Sequence, residues 1–168
     1  MKLISTQEDV AVVVLTDLSL LVISNAIDDV CHALDKREVH SRTGVSIECM
    51  LNLHCEIRDL LDRIQTAVIG GTDRGMVHDA DASPEAMRGT ADFNASAAHM
   101  KVLSIEKNTA SVLLSENAIL AICNAFNEVC NGLPQHRFVE RIGTTREDAK
   151  ELHRQALTIY KELRKEKR

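Results

Sequence analysis

The chain contains two copies of one sequence, placed 99 positions apart. Residues 1–64 align with residues 100–163 without a gap, and 18 of the 64 aligned positions hold the same amino acid. Other positions exchange similar residues, such as Asp29 with Glu128. A gapless repeat of this length indicates that one structural unit is used twice. We therefore expect the whole chain to be built from two similar halves.

The duplication predicts three segments. Residues 1–65 form repeat 1, residues 66–99 form a flexible linker, and residues 100–168 form repeat 2 with a basic C-terminal tail. The linker is rich in Gly, Ala, Ser and Asp and shows no sustained apolar period. Each repeat alone is short for a stable domain, because small domains bury a low fraction of their surface. The repeats are therefore expected to pack on each other.

Within each repeat, apolar residues first alternate and then recur at helical spacing. The alternating runs predict a β-hairpin, and the helical stripes predict two helices joined by a loop. Thr16 and Ser115 are expected to be N-caps of the first helix, and Gly44 and Gly143 to supply a positive φ before the second. The sequence thus predicts an α+β fold of tandem ββαα repeats. Their hairpins would join into a pseudo-twofold, four-stranded antiparallel sheet with helices packed on it.

The second helix of repeat 1 has a broader apolar arc than its counterpart in repeat 2. Its apolar residues include Met50, Leu51, Leu53, Ile57 and Leu61. A helix that is apolar over most of its circumference is either buried on two sides or binds a partner. Both interpretations are open at the level of sequence.

Composition limits the classes of partner. The chain has 25 acidic and 20 basic residues, a formal net charge of −5, and only 2% aromatic residues. Few aromatics argue against the stacking platforms of single-strand nucleic-acid binding proteins, and the acidic balance favours a basic partner. Five cysteines without framework spacing, no signal-peptide pattern and no membrane-spanning run predict a cytoplasmic protein that does not enter a membrane.

Residues that could carry chemistry form weak patterns. His32, Cys49, His54 and Cys55 lack the paired spacing of a zinc site. Cys31 and Cys130 recur in both repeats but belong to the apolar stripe of the first helix, where a small apolar residue is expected. Phosphate-binding loops and nucleophile elbows are absent from the sequence. We therefore expect no enzymatic activity, no metal and no cofactor.

Polar residues kept in both repeats are the candidate site residues. One interpretation is structural: an Arg–Glu ion pair holds the interhelix loop, and the Asn side chains satisfy backbone groups there. Another is a pseudo-symmetric recognition surface, and a third is a small-ligand or catalytic site near the arginines and histidines at the repeat interface. The eight residues are Asn25, Asn124, Arg42, Arg141, Glu48, Glu147, His54 and His153.

The segment around Gly143 also resembles a helix-turn-helix. Its second helix presents Arg146, Lys150 and Arg154 as DNA contacts. The aligned helix of repeat 1 has no basic face, and acidic neighbours of these residues would repel phosphates. DNA binding is therefore an alternative and not the first expectation.

The strings Asn124–Gly132 and Arg141–Glu147 resemble a pattern in small uncharacterised bacterial proteins. In this chain they read NAFNEVCNG and RIGTTRE, and repeat 1 keeps them only in part. The resemblance implies a bacterial origin and a small α/β module, and it carries no activity. With the acidic charge and small size, the sequence predicts a protein-interaction module, in the manner of an immunity or antitoxin-like inhibitor of a basic protein.

Overall fold

The computed structural model describes residues 1–69, the first half, and residues 98–166, the second half. The strands are β1 (Lys2–Gln7), β2 (Val10–Thr16), β3 (Met100–Glu106) and β4 (Thr109–Ser115). The helices are α1 (Asp17–Ala33), α2 (Lys36–Thr43), α3 (Ile47–Ile69), α4 (Glu116–Asn127), α5 (Phe138–Ile142) and α6 (Arg146–Glu166), and a π-helical turn (Glu128–Gly132) continues α4.

The four strands form one antiparallel sheet in the order β1-β2-β4-β3. The two hairpins meet along β2 and β4, where Val13 lies opposite Val112. Ala11 lies opposite Leu114 and Leu15 opposite Ala110 in the same pairing. The predicted α+β class, with a four-stranded antiparallel sheet and helices, is confirmed.

One face of the sheet is covered by the helices. The alternating residues Ala11, Val13 and Leu15 of β2 are at most 1% exposed and belong to the same core as the helices. Their equivalents in β4 do the same, as the two-residue period of a strand requires. Val12 and Leu113 point to the opposite face, and they are also buried.

The first helix of each half begins where the sequence predicts. The Ser19 N–H donates to the Thr16 hydroxyl at 3.0 Å, and the Ala118 N–H donates to the Ser115 hydroxyl at 3.1 Å. Both residues therefore satisfy an amide that the helix itself leaves without a partner. The glycine prediction is confirmed too, because φ is +69° at Gly44 and +83° at Gly143.

The prediction of a simple loop between the two helices of each repeat is wrong in detail, because this segment contains the short helix α2 in the first half and α5 in the second. Asp35 caps α2 by accepting from the N–H groups of Arg37 and Glu38, at 2.8 and 2.9 Å. The Glu38 carboxylate accepts from the Asp35 N–H in return. This capping box explains why a helix forms there. Each half is thus a hairpin followed by three helices.

The predicted linker lies largely outside the described residues. Helix α3 continues to Ile69, so residues 66–69 of the predicted linker are helical, and residues 70–97 are not described. The repeat and linker boundaries at 65, 66, 99 and 100 otherwise stay predictions.

The last helix of each half packs on the edge strand of the other half. Helix α3 contacts β3, and α6 contacts β1, while α1 and α4 pack on each other at the centre. Helix α3 also packs on α1, so it is buried on two sides, as one interpretation of its broad apolar arc predicts. Met50, Leu53 and Ile57 are buried, whereas Leu51 stays 41% exposed.

Candidate functional site: the contact between the two halves

Two asparagines tie each half to the short helix of the other. The Asn25 side-chain amide donates to the Ile142 carbonyl at 3.2 Å, and the Asn124 amide donates to the Thr43 carbonyl at 2.6 Å. Asn25 and Asn124 are equivalent in the repeat, as are Thr43 and Ile142. Both acceptors are terminal carbonyls of a helix, which need a partner from outside that helix. Each asparagine thus satisfies a terminal helix carbonyl of the other half.

The two arginines also reach across to the other half. Arg42 forms an ion pair with Glu128, and Arg141 forms one with Asp29 at 2.9 Å. The expected pairing with the glutamate of the same repeat is not what the structure shows, because Glu48 instead pairs with Lys36. The Lys36 ammonium lowers the pKa of Glu48 by hydrogen bonding. Glu147 is exposed in the first turn of α6.

The two ion pairs differ in the space around the carboxylate. Glu128 is only 5% exposed, and a Cβ atom placed on Gly132 would collide with its carboxylate and with the Arg42 guanidinium. The equivalent positions in the first half hold the shorter Asp29 and Ala33. The longer acid thus accompanies the glycine, and the shorter acid accompanies the alanine. Each half has adapted its own carboxylate site, while the arginine that enters it is the same residue type.

The turn at the end of α4 is wider than its equivalent in α1. The Leu133 N–H donates to the Glu128 carbonyl, five residues back, at 2.8 Å. In the first half the Leu34 N–H donates to the Val30 carbonyl, four residues back, at 3.1 Å. Such π-helical turns often occur at functional positions, and this one contains Glu128.

A third pair of contacts joins the start of each hairpin to the last helix of the other half. The Met100 N–H donates to the Glu56 carboxylate at 2.7 Å, and the Met1 ammonium donates to the Gln155 amide oxygen at 2.8 Å. Glu56 and Gln155 are equivalent in the repeat. The Glu56 carboxylate also contacts the His99 ring at 3.1 Å.

Comparison with known proteins gives no family. Neither a family model nor a curated protein nor a solved structure matches this chain. The resemblance to small bacterial proteins therefore stays a prediction, and the site has to be interpreted from its own geometry.

The repeated histidines lie on the last helix of each half, His54 on α3 and His153 on α6, and both are half-buried. Burial lowers the pKa of His153. The arginines, which the third interpretation places in a ligand site with these histidines, are instead bound to carboxylates of the other half.

Acidification is expected to destabilise the protein in part through His153. When the pKa of a histidine is lower in the folded than in the unfolded state, protonation favours unfolding. The free energy of unfolding then decreases as the pH falls below the unfolded pKa, about 6.5. Urea unfolding between pH 7.5 and pH 5 should therefore show a smaller loss in His153→Gln than in the parent chain. Parallel curves for the two proteins would contradict this contribution.

The three residues proposed as DNA contacts have different environments. The Arg146 guanidinium donates to the Cys130 carbonyl. The residue four positions later is Pro134, which has no N–H to donate to this carbonyl. Arg154 forms an ion pair with Glu151 on the same helix, and Lys150 is exposed. Arg146 thus holds the end of the π-helical turn, and only Lys150 and Arg154 extend into solvent.

The cysteine and metal candidates are dispersed. Burial and the nearby Asp28 carboxylate raise the pKa of Cys31 to about 11, and burial also raises the pKa of Cys130. Both therefore stay protonated at neutral pH, when a nucleophile needs the thiolate. Among residues 1–69 and 98–166, no group of three or more His, Cys, Asp or Glu side chains is placed to hold a metal ion.

Apolar side chains are exposed on the outer sides of α1 and α3. Leu18 is 57% exposed, Leu21 36% and Leu51 41%. The two helices pack on each other, and we use the name α1–α3 surface for the set formed by these three leucines and the exposed Asp59 and Asp62 of α3. In the second half Asn117 and Lys150 replace Leu18 and Leu51. The difference between the repeats is visible in the sequence, whereas the exposure of the leucines is visible only in the folded structure.

The described part of the chain contains no helix that is both long enough and apolar enough to cross a membrane.

Proposed function

We propose that the chain is a pseudo-twofold pair of repeats joined in one polypeptide. The support comes from contacts that occur in equivalent pairs: Asn25 with Asn124, and Arg42 with Arg141, each reaching into the other half. Val13 and Val112, which are equivalent, lie opposite each other where the hairpins meet. A twofold axis at that point would relate all of these contacts.

We propose further that the protein is a non-enzymatic interaction module that binds a basic protein partner, in the manner of an immunity or antitoxin-like inhibitor. The polar residues kept in both repeats are largely used inside the chain, where Asn25, Asn124, Arg42 and Arg141 hold the halves together. Recognition is therefore assigned to a surface on which Leu18 and Leu51 differ from their equivalents Asn117 and Lys150.

The observation that carries the proposal is the α1–α3 surface. Exposed leucines on two packed helices are typical anchors for a protein partner. The half that carries them has eleven acidic and six basic residues, whereas the second half has nine acidic and ten basic ones. The net negative charge of this half attracts a basic partner and disfavours acidic ones.

The test is capture of partners from host lysate by the immobilised full-length chain. We expect one stoichiometric basic protein, bound more weakly as salt rises because long-range attraction is screened. The double variant Leu18→Ser/Leu51→Ser should bind that protein at least about tenfold more weakly, since buried anchors dominate interface energies.

Changes at the equivalent positions of the second half are the matched control. Asn117→Ser/Lys150→Ser should bind the partner as the parent does. Equal binding by both double variants would contradict the assignment to the α1–α3 surface. Nucleic acid as the captured species would favour the DNA-binding alternative through Lys150 and Arg154, and an empty eluate would favour a small ligand.

A further inference from the structure

The asparagine contacts between the halves use a donor and an acceptor that each half possesses. The first half supplies Asn25 as donor and the Thr43 carbonyl as acceptor, and the second half supplies Asn124 and the Ile142 carbonyl. A half could therefore make both of these hydrogen bonds with a second copy of itself. No group would be left without its partner in that arrangement.

The ion pairs obey the same rule. The first half contains Arg42 and Asp29, and the second half contains Arg141 and Glu128. The carboxylate site is shaped within one half, by Gly132 beside Glu128 and by Ala33 at the equivalent position. The incoming side chain is arginine in both cases, so the arginine of a second copy fits as well as the present one.

The strand pairing at the centre is also self-complementary. In the present sheet each alanine lies opposite a leucine, Ala11 opposite Leu114 and Ala110 opposite Leu15. If two first halves paired in the same register, Ala11 would lie opposite Leu15. The small residue would again face the large one, and the packing of the core face would keep its volume.

We propose that each half of this chain binds a second copy of itself through the surface that now joins the two halves. The partner that this surface fits is a second copy of this chain, paired first half to first half and second half to second half. Within one chain, the covalent connection keeps the two different halves at high effective concentration. The monomer is thus the preferred form of the parent, and the dimer is formed when the contact between unlike halves is weakened. The inference depends on the pseudo-twofold arrangement proposed above, and not on the basic partner.

A charge reversal confined to one half tests this pairing in the full-length chain. In Asp29→Arg/Arg42→Glu, both ion pairs between unlike halves become repulsive. Pairing of two such first halves restores opposite charges at positions 29 and 42, and pairing of two second halves keeps the native Arg141 and Glu128. We expect light scattering after size exclusion to give a dimer of about 37 kDa, twice the 18.6 kDa chain.

The control makes the same kind of change across the halves. In Asp29→Arg/Arg141→Glu, the pair within one chain is reversed but intact, and Arg42 keeps Glu128, so this variant should stay a monomer. A folded monomer from Asp29→Arg/Arg42→Glu would overturn the proposal. An unfolded or aggregated product from that variant would overturn it as well, because paired copies should restore both ion pairs and both asparagine hydrogen bonds. This measurement uses the purified chain alone. Its result therefore does not depend on whether the lysate experiment captures a basic partner.

Discussion

Arg42→Ala is expected to lower the free energy of unfolding by about 3 kcal/mol, which is a large fraction of the stability of a small domain. The substitution removes the partner of Glu128, whose side chain lies almost wholly out of contact with water beside Gly132. A buried carboxylate without a counter-ion costs far more than the ion pair contributes when intact. Urea unfolding at neutral pH and moderate salt measures the difference.

Two further variants separate this explanation from a general effect of losing an arginine. Arg42→Ala/Glu128→Ala should be less destabilised than Arg42→Ala alone, because the second change removes the unpaired buried charge. Lys36→Ala breaks the exposed pair with Glu48 and should cost far less stability than Arg42→Ala, because solvent screens exposed ion pairs. If Lys36→Ala and Arg42→Ala cost the same, burial of Glu128 is not the cause.

Local features of the fold could be predicted because local chemistry determines them. The caps Thr16 and Ser115 precede helical stripes, and each has an oxygen that satisfies a free amide. Gly44 and Gly143 occupy positive-φ turns that other residues adopt at a cost. The start of helix α2 could also have been predicted from the sequence, since Asp35 and Glu38 have the spacing of a capping box.

Partners that are distant in sequence could not be predicted. Arg42 and Arg141 are kept in both repeats, but Glu48 and Glu147 are nearer in the chain than Glu128 and Asp29, the residues that the arginines reach. Proximity in sequence therefore indicated the wrong carboxylates. The like-for-like exchange of Asp29 with Glu128 was the available signal, because an acid kept beside a helical stripe of apolar residues is prone to burial and then needs a counter-ion.

In the proposed function, residues that repeat unchanged stabilise the chain, and residues that differ between the repeats bind the partner. Residues that repeat unchanged, such as Asn25 and Arg42, make contacts between the halves. Residues that differ, such as Leu18 and Leu51, lie on the surface. A duplicated chain can change its outer surfaces independently once the contacts that hold it together are fixed, and this is why the α1–α3 surface, and not the repeated polar set, is assigned to the partner.

Phe126→Ala is expected to cost about 3 to 5 kcal/mol of stability, since the change removes a large apolar side chain and leaves a cavity. Phe126 is fully buried on α4, the central helix that packs on α1, α6 and β4. Phe126 belongs to one hydrophobic core that contains residues of both halves, so the cavity would weaken this shared core. A cooperative loss of the whole fold should follow, measured as one urea transition shifted to lower denaturant by far-UV circular dichroism.

Phe126→Ile provides a graded comparison, because Ile27 occupies the equivalent position in the first half. Its smaller loss of volume should place its stability between the parent and Phe126→Ala. Val139→Ala removes an exposed side chain and should stay within about 0.5 kcal/mol of the parent. Two separate transitions in Phe126→Ala, with one half unfolding before the other, would show that each half is stable alone. That result would contradict a core shared by both halves, on which the cross-half contacts of Asn25, Asn124 and the two arginines depend.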